Sequence, residues 1–237
     1  MKIFPAIDLY DGKAVRLFKG DYQQMTVYSD DPVSIAKDFE KKGAKYIHVV
    51  DLEGAQSGAP AHLHVIERIV KETNLFLETG GGIRNMQTVD AYLSRGASRV
   101  ILGTSAVTDE TFLKAALEKY GDKIAVGADI ADGKIAIKGW KEKSEYSAED
   151  FLQKMQTLGV KTIICTDISK DGAMRGANVE LYKTIGEKYA LNVIASGGVS
   201  TLDDVKALAA MGTYGAIIGK AYYIGAIKLE EAIEVAK

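Results

Sequence analysis

Asp129-Ile130-Ala131-Asp132-Gly133-Lys134 echoes Asp8-Leu9-Tyr10-Asp11-Gly12-Lys13 at an offset of 121 residues. Three more pairs follow in the same order, each 116 residues apart. Asp51-Leu52 matches Asp167-Ile168, Gly81-Gly82-Ile83 matches Gly197-Gly198-Val199, and Ile101-Leu102-Gly103 matches Ile217-Ile218-Gly219. Markers that recur in one order, three of them in one phase, imply two duplicated halves. No low-complexity stretch separates the halves, so one domain over residues 1–237 is expected.

The markers fall at the ends of short apolar runs rich in Val and Ile. Those runs are Ile3–Ile7, Tyr46–Val50, Leu75–Leu77, Val100–Leu102, Ile124–Ala128, Thr162–Cys165, Val193–Ala195 and Ala216–Ile218. Each is too short for a helix and reads as a strand buried on both faces. Helical periodicity fills the intervals: Pro32–Lys42, Ala61–Glu72, Met86–Ser94, Glu110–Lys119, Ala148–Leu158, Val179–Tyr189, Leu202–Ala210 and Leu229–Ala236. Asp31, Asp109, Ser147 and Thr201 supply N-caps, and Gly43, Gly96, Gly159 and Gly212 supply stops. Eight strand–helix units predict an α/β fold, a (β/α)8 TIM barrel built from two duplicated half-barrels. An open doubly wound sheet is the weaker reading, because Ile7–Gly12 is no Gly-x-Gly-x-x-Gly turn.

Composition bounds the function. A net charge of −2 with scattered Lys and Arg gives no electrostatic reason to expect nucleic acid or a membrane as partner. The lone cysteine, Cys165, lies in an apolar run and reads as a small buried hydrophobe, which suits a reducing cytoplasm. The amino-terminal segment lacks the long apolar stretch of a signal peptide, and no run approaches a membrane span, so a cytoplasmic location is expected.

Barrel active sites lie at the C-terminal ends of the strands. Asp8 and Asp129 sit at such ends, in equivalent positions of the two halves and hence on opposite sides of the mouth. One carboxyl group can remove a proton from carbon while the other donates to a leaving oxygen. Gly81, Gly82 and Arg84 follow the third strand, and Gly103 and Thr104 the fourth; Gly197 and Gly198 follow the seventh, and Gly219 the eighth. Glycine admits close backbone approach to a ligand, and a following helix start supplies N–H donors. Two such clusters imply a small-molecule substrate with a phosphate at each end. Thr166, Asp171 and Gly172 follow the sixth strand, where Thr166 can bond a carboxylate or hydroxyl and Asp171-Gly172 can lend N–H groups to a phosphate. Trp140 stands beside Lys138 and Gly139, placed to stack on a planar ring. His48, His62 and His64 show no metal-ligand spacing and read as structural or surface residues, so no metal site is expected.

Pro5-Ala6-Ile7-Asp8-Leu9, Asp11-Gly12-Lys13, Gly80–Arg84, Thr166–Gly172 and Ser196–Val199 together resemble the ProFAR (phosphoribosylformimino-5-aminoimidazole carboxamide ribotide) isomerase family of histidine biosynthesis. The resemblance spans essentially the whole chain. It implies an aldose–ketose isomerase that carries out an Amadori rearrangement of ProFAR to PRFAR, with Asp8 as base, Asp129 as acid and no cofactor. It also implies that Thr166 supports Asp129 or a substrate hydroxyl and that Trp140 lies near the aminoimidazole ring. A monomer is expected. Ala173-Met174 stand where many relatives carry Thr-Leu, which removes a side-chain phosphate contact and leaves backbone contacts. Three alternatives remain at this level. They are the related cyclase subunit of imidazole glycerol phosphate synthase, which typically has Cys where Ala6 stands, an isomerase with added phosphoribosyl anthranilate activity, and a non-catalytic phosphosugar sensor.

Overall fold

A computed structural model of the chain describes residues 1–18 and 20–237. Its strands are β1 (Lys2–Tyr10), β2 (Lys13–Phe18), β3 (Asp21–Ser29), β4 (Tyr46–Asp51), β5 (Phe76–Gly80), β6 (Arg99–Leu102), β7 (Ile124–Ala131), β8 (Lys134–Ile137), β9 (Glu142–Ser147), β10 (Thr162–Asp167), β11 (Asn192–Ser196) and β12 (Gly215–Ile218). Parallel pairing runs β1–β4–β5–β6–β7–β10–β11–β12 and returns to β1, so eight strands close a barrel. Each expected apolar run falls on one of these staves, with Leu75 just ahead of β5. In the closed order β1 and β7 face each other, with three staves between them on either side.

The helices are α1 (Pro32–Lys41), α2 (Leu52–Ser57), α3 (Leu63–Glu72), α4 (Met86–Ser94), α5 (Thr104–Thr108), α6 (Glu110–Tyr120), α7 (Ala148–Thr157), α8 (Val179–Lys188), α9 (Leu202–Ala210), α10 (Lys220–Tyr223) and α11 (Leu229–Val235). All but α2, α5 and α10 cover the outside at the expected places. α4 and α9 have the expected bounds; α3 starts two residues later than the periodicity predicts, because buried His62 occupies the N-cap. Asp31, Asp109 and Ser147 accept from backbone N–H groups as caps, and Thr201 with Asp204 forms a reciprocal capping box. The short helices α2, α5 and α10 were not legible in the periodicity. A single turn or two gives the 3.6-residue pattern too little length to show.

Side-chain alternation divides the core in two. On β7, Ile124, Val126, Ala128 and Ile130 pack towards the helices, while Ala125 packs inside the barrel with Phe4, Ala6, Ile101, Ile164, Ile194 and Ile217. On β1, Ile3, Ile7 and Leu9 face the helices, and Phe4 and Ala6 face inward. Continuing each alternation by one step turns Asp8 and Asp129 inward at the C-terminal rim.

Two hairpins are absent from the pattern of apolar runs. β1 continues into β2 by antiparallel pairing, Asp8 opposite Val15 and Tyr10 opposite Lys13, and β3 pairs with β2. β7 continues likewise into β8, Ala131 opposite Lys134, and β9 pairs with β8. The turns are Asp11-Gly12, at φ 50° and 71°, and Asp132-Gly133, at φ 50° and 75°. Two successive left-handed residues make the tight turn that suits the twist of paired strands, and Asp-Gly is its sequence signal. The repeated Asp-Gly-Lys is therefore a hairpin turn present in each half.

Candidate active site

Asp8 is 8% exposed, and its carboxylate pairs with the Arg16 guanidinium at 3.0 Å. Burial pushes its pKa up; Arg16 opposes this, Asp171 adds to it and His48 opposes it. Asp129 lies across the ring. Its Oδ2 accepts from Trp140 Nε1 at 2.8 Å, and the Thr166 hydroxyl also donates to its carboxylate. Burial raises its pKa too, and these two hydrogen bonds hold it back. Asp8 and Asp129 turn inward at one rim from opposed staves, and the charges of Asp171 and His48 bear on both. Two acids raised by burial are poised for proton transfer nearer neutral pH than free carboxylates are.

Local structure explains each placement. Thr166 is the Cα neighbour of Asp129 in the β7–β10 pairing, so two staves bring hydroxyl and carboxylate together. Trp140 sits in the β8–β9 turn with a left-handed backbone at φ 68°, as does Lys138 at φ 56°. The Lys138 N–H donates to Thr104 Oγ1 at 2.8 Å, which ties this turn to the rim after β6. The Trp140 ring lies so close to Gly20 that a Cβ there would come within 2.8 Å of it. The hairpins of the two halves thus touch above the mouth.

The glycine clusters adopt matching conformations. Gly81 and Gly82 have φ of 118° and 69°; Gly197 and Gly198 have φ of 88° and 87°. Gly103 and Gly219 open α5 and α10 at nearly the same dihedrals, φ −93° and ψ −109° against φ −103° and ψ −106°. Close packing demands the first pair in each half: a Cβ at Gly82 would lie 1.8 Å from the Gly54 carbonyl, and one at Gly198 2.4 Å from the Gly176 carbonyl. The backbone N–H groups of Gly82, Gly103, Gly198 and Gly219 bond nothing among the described residues, which leaves them for an anion. Arg84 is exposed, and its Nη2 donates to the Ala55 carbonyl at 3.2 Å. The carbonyl of Gly172 accepts from Lys220 Nζ at 3.1 Å, and the N–H of Asp171 donates to the carbonyls of Asp167 and Ile168 within its own turn. Asp171 therefore bears on the site through its carboxylate rather than through its N–H.

Two residues at the rim were not singled out in the sequence. Arg16 comes from β2, which carries no apolar-run signal; it reaches Asp8 and also lies against Gly219, where a Cβ would stand 2.6 Å from its Nη2. The Asp-Gly turn is the signal that would have located its strand. His48, read as structural, faces the barrel interior and bonds Glu78. His62 does serve structure, bonding Asp51 through Nδ1 at 2.9 Å and accepting the Gly12 N–H at Nε2, and His64 is exposed.

The chain is similar in sequence to known proteins along nearly its whole length. A family profile described as "Histidine biosynthesis protein" matches residues 2–228. The chain belongs to that family. A relative from Ruminiclostridium cellulolyticum is 50% identical over 233 residues, 98% of this chain and 99% of its own length. One from Oceanobacillus iheyensis is 48% identical, covering 99% of this chain and 98% of its own, and one from Lactococcus lactis is 51% identical, covering 98% and 95%. All three carry the name 1-(5-phosphoribosyl)-5-((5-phosphoribosylamino)methylideneamino)imidazole-4-carboxamide isomerase. Family and names place this chain among the isomerases of histidine biosynthesis. Among the described residues, no helix is long and apolar enough to cross a membrane.

Proposed function

We propose that this isomerase converts ProFAR to PRFAR by an Amadori rearrangement, with Asp129 as general acid and Asp8 as general base. The observation that carries the reading is the pair of inward carboxylates on opposed staves, each raised by burial and each coupled to the same Asp171. Asp129 protonates the furanose ring oxygen, and the amine nitrogen pushes the ring open to a protonated imine. Asp8 takes the proton from C2, leaving an enolamine, and returns it at C1 as the C2 hydroxyl becomes the ketone; the hydroxyl proton released there replaces the one that Asp129 gave to the ring oxygen. Atoms balance because substrate and product are isomers. Thr166 and Trp140 hold Asp129 in place. The glycine rims after β5–β6 and β11–β12 take one phosphate each, and Arg84, Thr104, Asp171 and Gly172 complete the bounds of the substrate. The enzyme acts as one barrel domain, as a monomer in the cytoplasm.

The test is turnover of purified protein with ProFAR alone, without ammonia or a partner. Asp8→Asn and Asp129→Asn are each expected to lose at least ~10²-fold in kcat, the usual scale of positioned acid–base catalysis. Full turnover in both variants overturns the assignment. Parallel assay with phosphoribosyl anthranilate reports whether a second substrate is accepted.

A further inference from the structure

A buried imidazole holds the turn of the β1–β2 hairpin. The Gly12 N–H donates to His62 Nε2 at 3.0 Å, and the Asp11 N–H donates to Glu53 Oε2 at 2.8 Å. The same Nε2 lies 3.1 Å from Glu53 Oε2. On its other side His62 bonds Asp51 Oδ1 through Nδ1 at 2.9 Å. Burial works against the charge of Asp51, but its hydrogen bonds, led by that of His62, keep the carboxyl ionised. An ionised carboxylate only accepts, so Nδ1 carries a hydrogen in both states of the ring and Nε2 is the atom that titrates. Its two neighbours need opposite things. A neutral Nε2 offers a lone pair and accepts the Gly12 N–H. A protonated Nε2 has no lone pair; it repels that N–H and donates to Glu53.

The groups around the ring come from every element packed on it. They are Asp51 at the end of β4, Glu53 on α2, Asp11 in the turn, the Tyr92 hydroxyl of α4 on Asp51, and His64 on α3, whose ring centroid is 6.4 Å away. The bond to Asp51 raises the His62 pKa, burial opposes it, and the charges of Asp51, Glu53 and Asp11 add to the rise. The second half is built without this ring. Asn178 stands 116 residues after His62, in phase with the repeat, and donates to Asp167 Oδ2 through Nδ2 at 2.6 Å. Ser169 stands in phase with Glu53 and bonds Asp167 itself. The turn of that hairpin is tied by Asp132 to Lys143 at 2.7 Å. An amide is therefore enough to lock the loop aspartate, and the reach of His62 to Gly12 is additional to that task.

We infer that His62 is a positioning residue that latches the hairpin carrying Arg16: the neutral ring holds the turn, and the protonated ring releases it and turns to Glu53. Its effect on turnover rests on the ProFAR reading above. From the turn, β1 and β2 run in register, Tyr10 with Lys13, Leu9 with Ala14 and Asp8 with Val15. Arg16 is the next residue, and its guanidinium meets Asp8 at 3.0 Å. The outer strand β3 pairs with β2 through two register shifts and has no fully buried residue, so it braces β2 weakly. With the turn released, Arg16 spends less time on Asp8, and the base loses part of the charge that keeps it ionised. The Tyr22 hydroxyl still donates to the Leu52 carbonyl at 3.1 Å, so the hairpin loosens rather than unfolds.

Two measurements test the latch. The first needs no substrate and no variant. In ¹⁵N-labelled wild type, a scalar coupling across the N–H···N bond between Gly12 and His62 Nε2 is expected while the ring is neutral, and its loss as the ring protonates. A coupling missing from the neutral ring, or one that survives protonation, overturns the proposal. The second compares pH profiles of kcat/KM for wild type and His62→Asn, the residue of the other half, which keeps the Asp51 bond and is too short for Gly12. Substrate phosphates titrate at ~6 with both proteins, so the ratio of the profiles isolates His62. That ratio is expected to be about 3–10 above the ring titration, the scale of one hydrogen bond, and to fall towards 1 below it. Glu53→Gln keeps an acceptor for Asp11 and removes a charge that raises the His62 pKa, so ring titration and rate step should move together to lower pH. A ratio that is flat across the ring titration, or a step that does not follow the ring in Glu53→Gln, overturns the coupling to Arg16. If His62→Asn fails to fold, the wild-type coupling and the Glu53→Gln shift still decide. If wild type does not isomerise ProFAR, the functional reading falls while the Gly12–His62 coupling still judges the latch.

Discussion

At the scale of single residues, the chemistry depends on how far burial is offset around each carboxyl group. Asp8 is raised by burial and held down by Arg16, with Asp171 raising it and His48 lowering it. Tyr22 and Tyr223 lie close enough to feel its charge. A base must be ionised, so activity falls as pH drops through the Asp8 pKa. Replacing Arg16 with Met removes the main opposing charge, and the acid limb of kcat/KM is expected to move to higher pH. A limb that stays in place or moves to lower pH contradicts the ion pair. Stability gives a second reading of the same physics. A carboxyl whose folded pKa exceeds its unfolded value binds its proton more tightly when folded, so stability declines as pH rises from about 4 to that folded pKa and stays lowered beyond it. Asp129→Asn removes that charge while its amide oxygen can still accept from Trp140 and Thr166. Its Tm at neutral pH should therefore rise, by ~2–4 °C for each ~1 kcal/mol released, while activity is lost. A calorimetric scan showing a lower Tm would mean that the charged form is the favoured one.

At the scale of elements, loops hold the rim in shape through buried polar bonds. Asp51, 0% exposed, caps α2 by accepting the Gly54 N–H at 2.8 Å. It also accepts from Ala61 N–H, His62 N–H, His62 Nδ1 and the Tyr92 hydroxyl. Asp167, its partner in the sequence repeat, bonds Ser169 and Asn178 in the same manner. The repeated aspartates that end β4 and β10 therefore organise loops, whereas those near the ends of β1 and β7 face the mouth. Asp51→Ala strands several donors and is expected to cost ~3–5 kcal/mol in urea unfolding, the range for a broken buried ionic pair. The pair also has a pH window. The Asp51 bond and charge raise the His62 pKa, so that contribution is full below about 6.5 and is lost as pH rises through the folded His62 value. Burial pushes the Asp51 pKa up, but its hydrogen bonds, led by His62, bring it below normal; that contribution is lost as pH falls through the folded Asp51 value. Wild type minus Asp51→Ala stability should peak between those limits, and a flat difference from pH 3 to 9 would refute the coupling. The hairpins are the elements the periodicity missed: their inner strands β2 and β8 bury only two or three residues each, and their outer strands are largely solvent-facing. β3, Asp21–Ser29, has no fully buried residue, and β9, Glu142–Ser147, has none either.

At the scale of the whole molecule, closure of the barrel converts sequence positions 121 residues apart into opposite walls of one site. A ligand spanning both glycine rims binds only the folded barrel, so it must stabilise it by mass action. A non-turning variant such as Asp8→Asn should gain ~2.7 kcal/mol of stability at a ProFAR concentration 100 times its Kd. Inorganic phosphate alone should protect far less at equal concentration, because it engages one rim at a time. Equal protection by both would argue for a ligand held at one end only.

The eight staves, their covering helices and the opposed pair Asp8 and Asp129 were all legible in the chain, because each depends on local periodicity or on a repeated motif. Apolar runs must be buried and caps must be satisfied wherever they occur, so those choices need no knowledge of the rest of the fold. Tertiary structure alone decided that Arg16 reaches Asp8, that Trp140 lies on Gly20 and bonds Asp129, and that His48 stands over a buried Glu78–Arg99 pair. Those contacts join residues from different staves and hairpins, and the direction of each side chain is set by alternation around a closed ring that no local window of sequence contains.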